Sequence, residues 1–317
     1  MLAKNFYFNA LKSAIPKKTR EEIGEIVAEV LRVQMPQLEI PSVMRLDFNA
    51  IACSSILREL SHCGLFTFKS LLTDSEVKAM LNSILDSDAY FQDDFGNRFK
   101  KLEATKEQKN SSRYQFFDVR PLLEMDFLKD KFFFNQPLIA MVSSYLGAPA
   151  VVSSVTFWKS IPNNLGSKGA HLFHQDRGDF RSVNLFVYLT DVNDLSGPHE
   201  YFKYTHRYAY IESYLERLTA LEANLLKQHI DQHRYDSDLL SQYFGDPIRI
   251  LGNSGDGFLE DTNGIHRGVT PIERSRICFE IIFTLVKQAN TDSYDVISQN
   301  FGELSPLIRY ANQYIYR

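Results

Sequence analysis

Two segments in the second half of the chain alternate at a period of two, and they constrain the fold more than any other feature. In SVNLFVYLT, residues 182–190, the odd positions are Val183, Leu185, Val187 and Leu189, and the even ones are Asn184, Phe186, Tyr188 and Thr190. RICFEIIFTLV, residues 276–286, sets Ile277, Phe279, Ile281, Phe283 and Leu285 against Arg276, Cys278, Glu280, Ile282 and Thr284. Successive side chains of a strand point to opposite faces, so each segment has one dry face and one polar and aromatic face. A sheet built from them packs against helices on one side and lines a cavity on the other. AVVSSVTFWK (150–159), IRIL (248–251) and DGFLED (256–261) add further short strands bounded by turn residues. Strands in succession without alternating helices predict an antiparallel sandwich or barrel, and hence a mainly β chain with helices (α+β).

The rest of the chain reads as decoration on that core. No internal repeat or low-complexity linker divides the 317 residues, which predicts a single domain. Its parts are an N-terminal helical region at about 1–145, a core at about 146–290, a helical insertion at about 207–245 and a C-terminal tail at about 291–317. TREEIGEIVAEVLRVQM carries Ile23, Ile26, Val27, Val30 and Leu31 at helical spacing, with Thr19 as candidate N-cap. Thr73 followed by Glu76 is a capping box for a helix that aligns Val77, Met80, Leu81 and Ile84, and a short strand is expected after Gly64. The composition, 44% hydrophobic and 23% charged, is that of a chain with an ample core. A net charge of -4 gives no footprint for nucleic acid. Cys53, Cys63 and Cys278 match no zinc or disulfide framework, and no window reaches about 18 apolar residues. The expectation is a cytoplasmic protein with no membrane span.

The chemistry concentrates in GAHLFHQDRGDF, residues 169–180. In an extended segment His174 and Asp176 reach the same side while Gln175 points away. Imidazole with carboxylate is the ligand mixture of a non-haem Fe(II) site made of two histidines and one carboxylate. The third ligand has a candidate in His266, after the turn at Asn263-Gly264. Arg276 opens the last long strand on its polar face, where a guanidinium fork suits a small dicarboxylate. Arg274 shares its parity and is the alternative for that role. Taken singly, each of these residues is as readily a hydrogen-bonded loop histidine, a turn aspartate or a solvated arginine; their order along the chain is what singles them out. His171 reads as a residue behind the site or on the surface.

HQD at 174–176, DLSGPHEYFKYTH at 194–206, GDGFLEDTNGIHRG at 255–268 and ERSRICFEIIF at 273–283 resemble the phytanoyl-CoA dioxygenase family of Fe(II)/2-oxoglutarate-dependent oxygenases. With LRELSHCGLFTFKSLLTDSEVKAM, the resemblance spans roughly residues 57–286. It implies a double-stranded β-helix, a jelly roll, with helices packed on its larger sheet. It further implies His174, Asp176 and His266 as Fe(II) ligands and Arg276 as the partner of the distal carboxylate of 2-oxoglutarate. Thr190, Asn184 and Gln175 are implied as lesser cosubstrate contacts. The implied reaction oxidises a small-molecule substrate, most simply by hydroxylation, as 2-oxoglutarate and O2 become succinate and CO2. Halogenases of this fold lack the carboxylate ligand, and Asp176 is present. The chain departs from the family at FKYTHRY, where relatives carry a Pro-Gly-Ser-His turn, which leaves His206 without a role.

Two other readings stand beside this one. A jelly roll could bind a metal or ligand without catalysis. HIDQH places His229 and His233 at the spacing of a zinc-binding helix, but the glutamate that a zinc hydrolase needs after the first histidine is absent. Glu280, on the cavity face, could touch substrate, though pairing with a basic neighbour is the commoner fate of an inward carboxylate. Arg177 and Arg181, beside the metal loop, are candidates to meet an anionic group. The sequence does not identify the substrate or the oligomeric state.

Overall fold

A computed structural model describes residues 15–42, 45–46, 51–85, 87–93, 97–163, 166–231, 234, 237–287, 297, 302 and 304–316. Its strands are β1 (Arg45–Leu46), β2 (Ile51–Ala52), β3 (Leu65–Phe68), β4 (Ala89–Gln92), β5 (Arg98–Lys100), β6 (Tyr114–Phe117) and β7 (Val151–Ser160). They continue with β8 (Ser182–Tyr188), β9 (His199–Tyr201), β10 (Ile248–Ile250), β11 (Gly257–Glu260), β12 (His266–Gly268) and β13 (Arg276–Thr284). An antiparallel eight-stranded sheet runs β3-β11-β8-β13-β7-β6-β4-β5, and a three-stranded sheet runs β10-β9-β12. An isolated bridge between His174 and His266 adds a fourth position to the small sheet. Two antiparallel sheets that exchange strands in this way form the jelly roll that the resemblance implies, within the antiparallel class expected from the alternation.

The dry faces lie where the pattern puts them. Val183, Leu185, Val187, Phe279, Ile281 and Phe283 are buried in one core with Ile56 and Leu60 of the helix Cys53–Cys63 and with Leu138, Ile139, Val142 and Leu146 of the helix Gln136–Leu146. Each such side chain contributes about 1.5–3 kcal/mol by leaving water. Asn135 caps the second helix through Leu138 N–H at 2.9 Å. The first helix ends at Gly64, whose positive φ of 81° and closeness to Tyr201 Oη exclude a side chain. The opposite face of the large sheet carries Phe186 and Tyr188, packed with Phe258 and Cys278 between the two sheets.

Several expectations need correction. Beyond the short strand expected after Gly64, which forms as β3, the first third also supplies β4 to β6, and these lengthen the large sheet beyond β7. The helix Lys17–Gln34 starts after Pro16, so Thr19 lies inside its first turn. Its buried residues are Lys17, Arg20, Gly24 and Ala28, while Ile26 and Val30 face solvent. The reason is polar docking: Lys17 Nζ donates to Asn263 O at 2.5 Å and Arg20 Nη2 to Asp179 O at 2.9 Å. The tail carries the helix Pro306–Asn312, which buries Leu307, Ile308 and Ala311 in the main core. The insertion consists of the helices Tyr208–Leu215, Ala220–Ile230 and Ser237–Phe244, between β9 and β10. The Thr73 capping box forms as expected, with Glu76 N–H on Thr73 Oγ1 at 3.3 Å and Thr73 N–H on Glu76 Oε2 at 2.8 Å.

Candidate metal centre

His174 and His266 meet across an antiparallel bridge, each backbone N–H donating to the other's carbonyl at 2.8 and 2.9 Å. That pairing fixes the two imidazoles side by side, with ring centroids 4.3 Å apart. Asp176 N–H donates to Thr262 O at 2.9 Å, which ties the third residue to the loop before His266. His174 Nδ1 lies 2.9 Å from Leu172 O and His266 Nδ1 lies 3.0 Å from Gly264 O. A carbonyl partner requires a proton on Nδ1, so both Nε2 lone pairs are left for a ligand. Those Nε2 atoms stand 3.7 and 3.9 Å from Asp176 oxygens. The three donor atoms lie within 4.8 Å of one another, a set that can hold one metal ion. Burial, and then the neighbouring His266 ring, holds His174 well below its ordinary pKa, so its imidazole is neutral.

Behind His266 lies a pair that the sequence reading did not single out. Glu260 of β11 is fully buried, with Oε1 3.4 Å from His266 Nδ1 and Oε2 2.8 Å from His199 Nε2, without hydrogen-bond alignment to either. His199 of β9 stacks on His266 at 5.5 Å and 17°. Burial pushes the Glu260 carboxyl up to about 8 and the His199 imidazole down to about 3, so the pair is neutral acid beside neutral base. A signal for Glu260 existed: it shares strand parity with Phe258, whose ring stacks on Phe186 of the cavity face at 4.7 Å. His199 carried no comparable signal, because β9 is only three residues long.

The triad opens on a cavity of about 590 Å³ between the sheets, walled by Tyr114, Phe116, Trp158 and Phe186. Arg276 also lines it, is 3% exposed, and donates to Gly197 O and, at 3.4 Å, to Ser160 Oγ. Gly268 makes room for the guanidinium, since a Cβ there would stand 2.6 Å from Arg276 Nη2. Arg274 is exposed, so Arg276 is the arginine that faces the triad's cavity. Glu280, two strand repeats beyond Arg276, accepts from Thr156 Oγ1 at 2.7 Å and Asn184 Nδ2 at 2.8 Å. No basic residue pairs with it among the described residues, contrary to the commoner expectation, and burial pushes its carboxyl up to about 7.

The lesser candidates scatter. Thr190 does not line the cavity: β8 ends at Tyr188, and the Thr190 hydroxyl accepts from Ile277 N–H at 3.1 Å. Gln175 is buried on the reverse side of the metal loop, in a small polar pocket with Lys17, His206 and Asp261. Asn184 touches the cavity only through Glu280. His171 is fully buried against Tyr114, and His206 is buried with Nε2 3.3 Å from Ser61 O. Arg177 faces the insertion, donating to Asp231 O at 3.1 Å, and Arg181 lines the pocket behind the loop. His229 belongs to the helix Ala220–Ile230 and is not part of the triad, and His233 lies outside the described residues. No helix among the described residues is long and apolar enough to cross a membrane.

Comparison with known proteins adds family membership. No curated protein sequence matches the chain. Among solved structures, the chain is similar to the non-heme alpha ketoglutarate dependent epimerase SnoN from nogalamycin biosynthesis, at 11% identity over 73% of this chain and 82% of that one, with a TM-score of 0.46. It is similar also to the carbocyclase SnoK of the same biosynthesis, at 12% identity over 72% and 82%, with a TM-score of 0.44. A third is HygX from Streptomyces hygroscopicus with nickel and 2-oxoglutarate bound, at 12% identity over 80% and 92%, with a TM-score of 0.45. These are distant likenesses, and the assignment rests on the sequence instead. The profile of the phytanoyl-CoA dioxygenase family matches residues 62–238, more than half of the chain, a span that contains His174 and Asp176 and ends before His266 and Arg276. The chain belongs to the phytanoyl-CoA dioxygenase (PhyH) family.

Proposed function

We propose that the protein is an Fe(II)- and 2-oxoglutarate-dependent oxygenase that hydroxylates a small molecule. The observation that carries this reading is the convergence of two imidazole Nε2 atoms and one carboxylate within 4.8 Å on the wall of a cavity. The donor set fits the metal: two neutral nitrogens and a carboxylate suit Fe(II) and leave positions open for further ligands. His174, Asp176 and His266 hold the ion, and the Nδ1 bonds to Leu172 and Gly264 carbonyls keep both rings in the binding tautomer. Arg276, rigid on β13 and buried, receives the distal carboxylate of 2-oxoglutarate through a charged hydrogen bond. The chemistry that the bound group supplies is oxidation of a substrate C–H bond, with 2-oxoglutarate and O2 leaving as succinate and CO2. The aromatic wall orients an apolar part of the substrate. Asp176 supports hydroxylation over halogenation, because it fills the position a halide would need. Three cysteines without a disulfide fit the reducing cytoplasm, where we place the protein.

Succinate formation by the aerobic protein with Fe(II) and 2-oxoglutarate tests the reading. The expected outcome is slow turnover that disappears in His266→Ala, and a KM for 2-oxoglutarate raised about 10- to 100-fold in Arg276→Ala. Wild-type protein that makes no succinate would leave a jelly roll that binds without oxidising.

A further inference from the structure

We propose that Glu280 is the residue that selects the substrate, and that it selects a molecule presenting a protonated amine beside an apolar or aromatic body. This deepens the oxygenase reading and rests on it for the identity of the cavity as a substrate site. Glu280 stands at the centre of the large sheet, on β13 between β7 and β8, where flanking strands on both sides fix its position. Its two oxygens each take one bond from a neutral donor, Thr156 Oγ1 and Asn184 Nδ2. A carboxylate offers about four acceptor sites, so about two remain. The carboxyl lines the cavity together with Trp158 and Phe116.

Such a group in aromatic surroundings is poorly solvated as an anion, and a ligand cation is what offsets that cost. An aromatic face beside it adds attraction for the same cation. Arg276 does not serve as that cation. It lies four residues along the same strand face, roughly 13 Å away at the usual rise, and bonds instead to Gly197 O and Ser160. The cavity is thus divided along β13 into a cationic end for the cosubstrate and an acidic end for the substrate. The opposing observation is that Arg113, Lys168 and Arg234 line the same cavity, which would favour an anionic substrate. Arg113 is already engaged by Asn163 Oδ1 and Gly166 O, and none of the three bonds to Glu280.

Trp158 is the only tryptophan, so its emission reports occupancy of the cavity without metal, cosubstrate or turnover. The full-length protein would be titrated with 4-phenylbutylamine and 4-phenylbutanol, as wild type and as Glu280→Gln. The amine is expected to bind about tenfold more tightly than the alcohol, and Glu280→Gln is expected to bring the two within about threefold. An alcohol that binds as tightly as the amine, an amine that does not bind at millimolar concentration, or an amine preference that survives Glu280→Gln overturns the proposal. The wild-type ranking decides even if that variant fails to fold. Because this readout needs neither iron nor 2-oxoglutarate, its failure is separable from failure to form succinate.

Discussion

In the large sheet Val183, Leu185 and Val187 of β8 lie under helices at no more than 1% exposure; in the small sheet Glu200 of β9 stands between Arg249 of β10 and Arg267 of β12. Glu200 Oε1 is 2.8 Å from Arg249 Nε and Oε2 is 2.7 Å from Arg267 Nε. The large sheet has strands of seven to ten residues at its centre, whose alternation sets the register by burying one face. The small sheet has strands of three residues, too short for that, and the Arg-Glu-Arg ladder pins them instead. The difference matters because β12 begins at His266. Stability comes chiefly from the apolar sheet, and the position of a metal ligand comes from the charged one.

Four substitutions probe this contrast. Leu185→Ala should cost about 3 kcal/mol by opening a cavity in the large sheet, while Fe(II) affinity measured on the folded protein stays near wild type. A large fall in affinity would mean that the two sheets are not separable. Glu200→Ala should cost less, about 2 kcal/mol, since Arg249 is half exposed and regains water. It should nonetheless weaken metal binding at least tenfold, and unchanged binding in calorimetry would show that the ladder does not place His266. For Glu280 the folded carboxyl titrates near 7 against an ordinary 4.5. Its stabilising contribution is therefore complete below about pH 4.5 and lost as pH rises through 7. Wild type should lose about 1–2 kcal/mol relative to Glu280→Gln between pH 5 and pH 8, read from paired thermal melts of metal-free protein. Parallel melting curves would remove the buried-acid assignment. Thr190→Val should cost about 1 kcal/mol by stranding Ile277 N–H, with no change in 2-oxoglutarate affinity. A weakened affinity would restore Thr190 to the cosubstrate pocket.

Period-two patterning made the large sheet legible, and the His-x-Asp spacing with a distal histidine made the triad so. Both signals are local or depend on simple order along the chain. Parity puts Thr190 on the cavity face, but β8 ends at Tyr188 and the Thr190 hydroxyl turns to Ile277 N–H of β13 instead. The strands β4 to β6 were missed because Ala89–Gln92 and Arg98–Lys100 are short and set among charges. Helical spacing groups Ile26 and Val30 with Val27 and Leu31, but only the latter two pack on the core, beside the buried Ala28, while backbone carbonyls nearby take up Lys17 and Arg20. The Glu260–His199 contact joins two strands far apart in sequence, and no pattern within either strand encodes their meeting.

The most direct measurement is an anaerobic titration of the metal-free protein with Fe(II) and then 2-oxoglutarate, following the weak visible charge-transfer band of a chelated 2-oxo acid. A band that forms in wild type, is lost in His174→Ala and needs at least tenfold more cosubstrate in Arg276→Ala is the expected result. A wild-type protein that binds Fe(II) and 2-oxoglutarate without the band, or a band that His174→Ala leaves intact, would contradict the assignment of the centre.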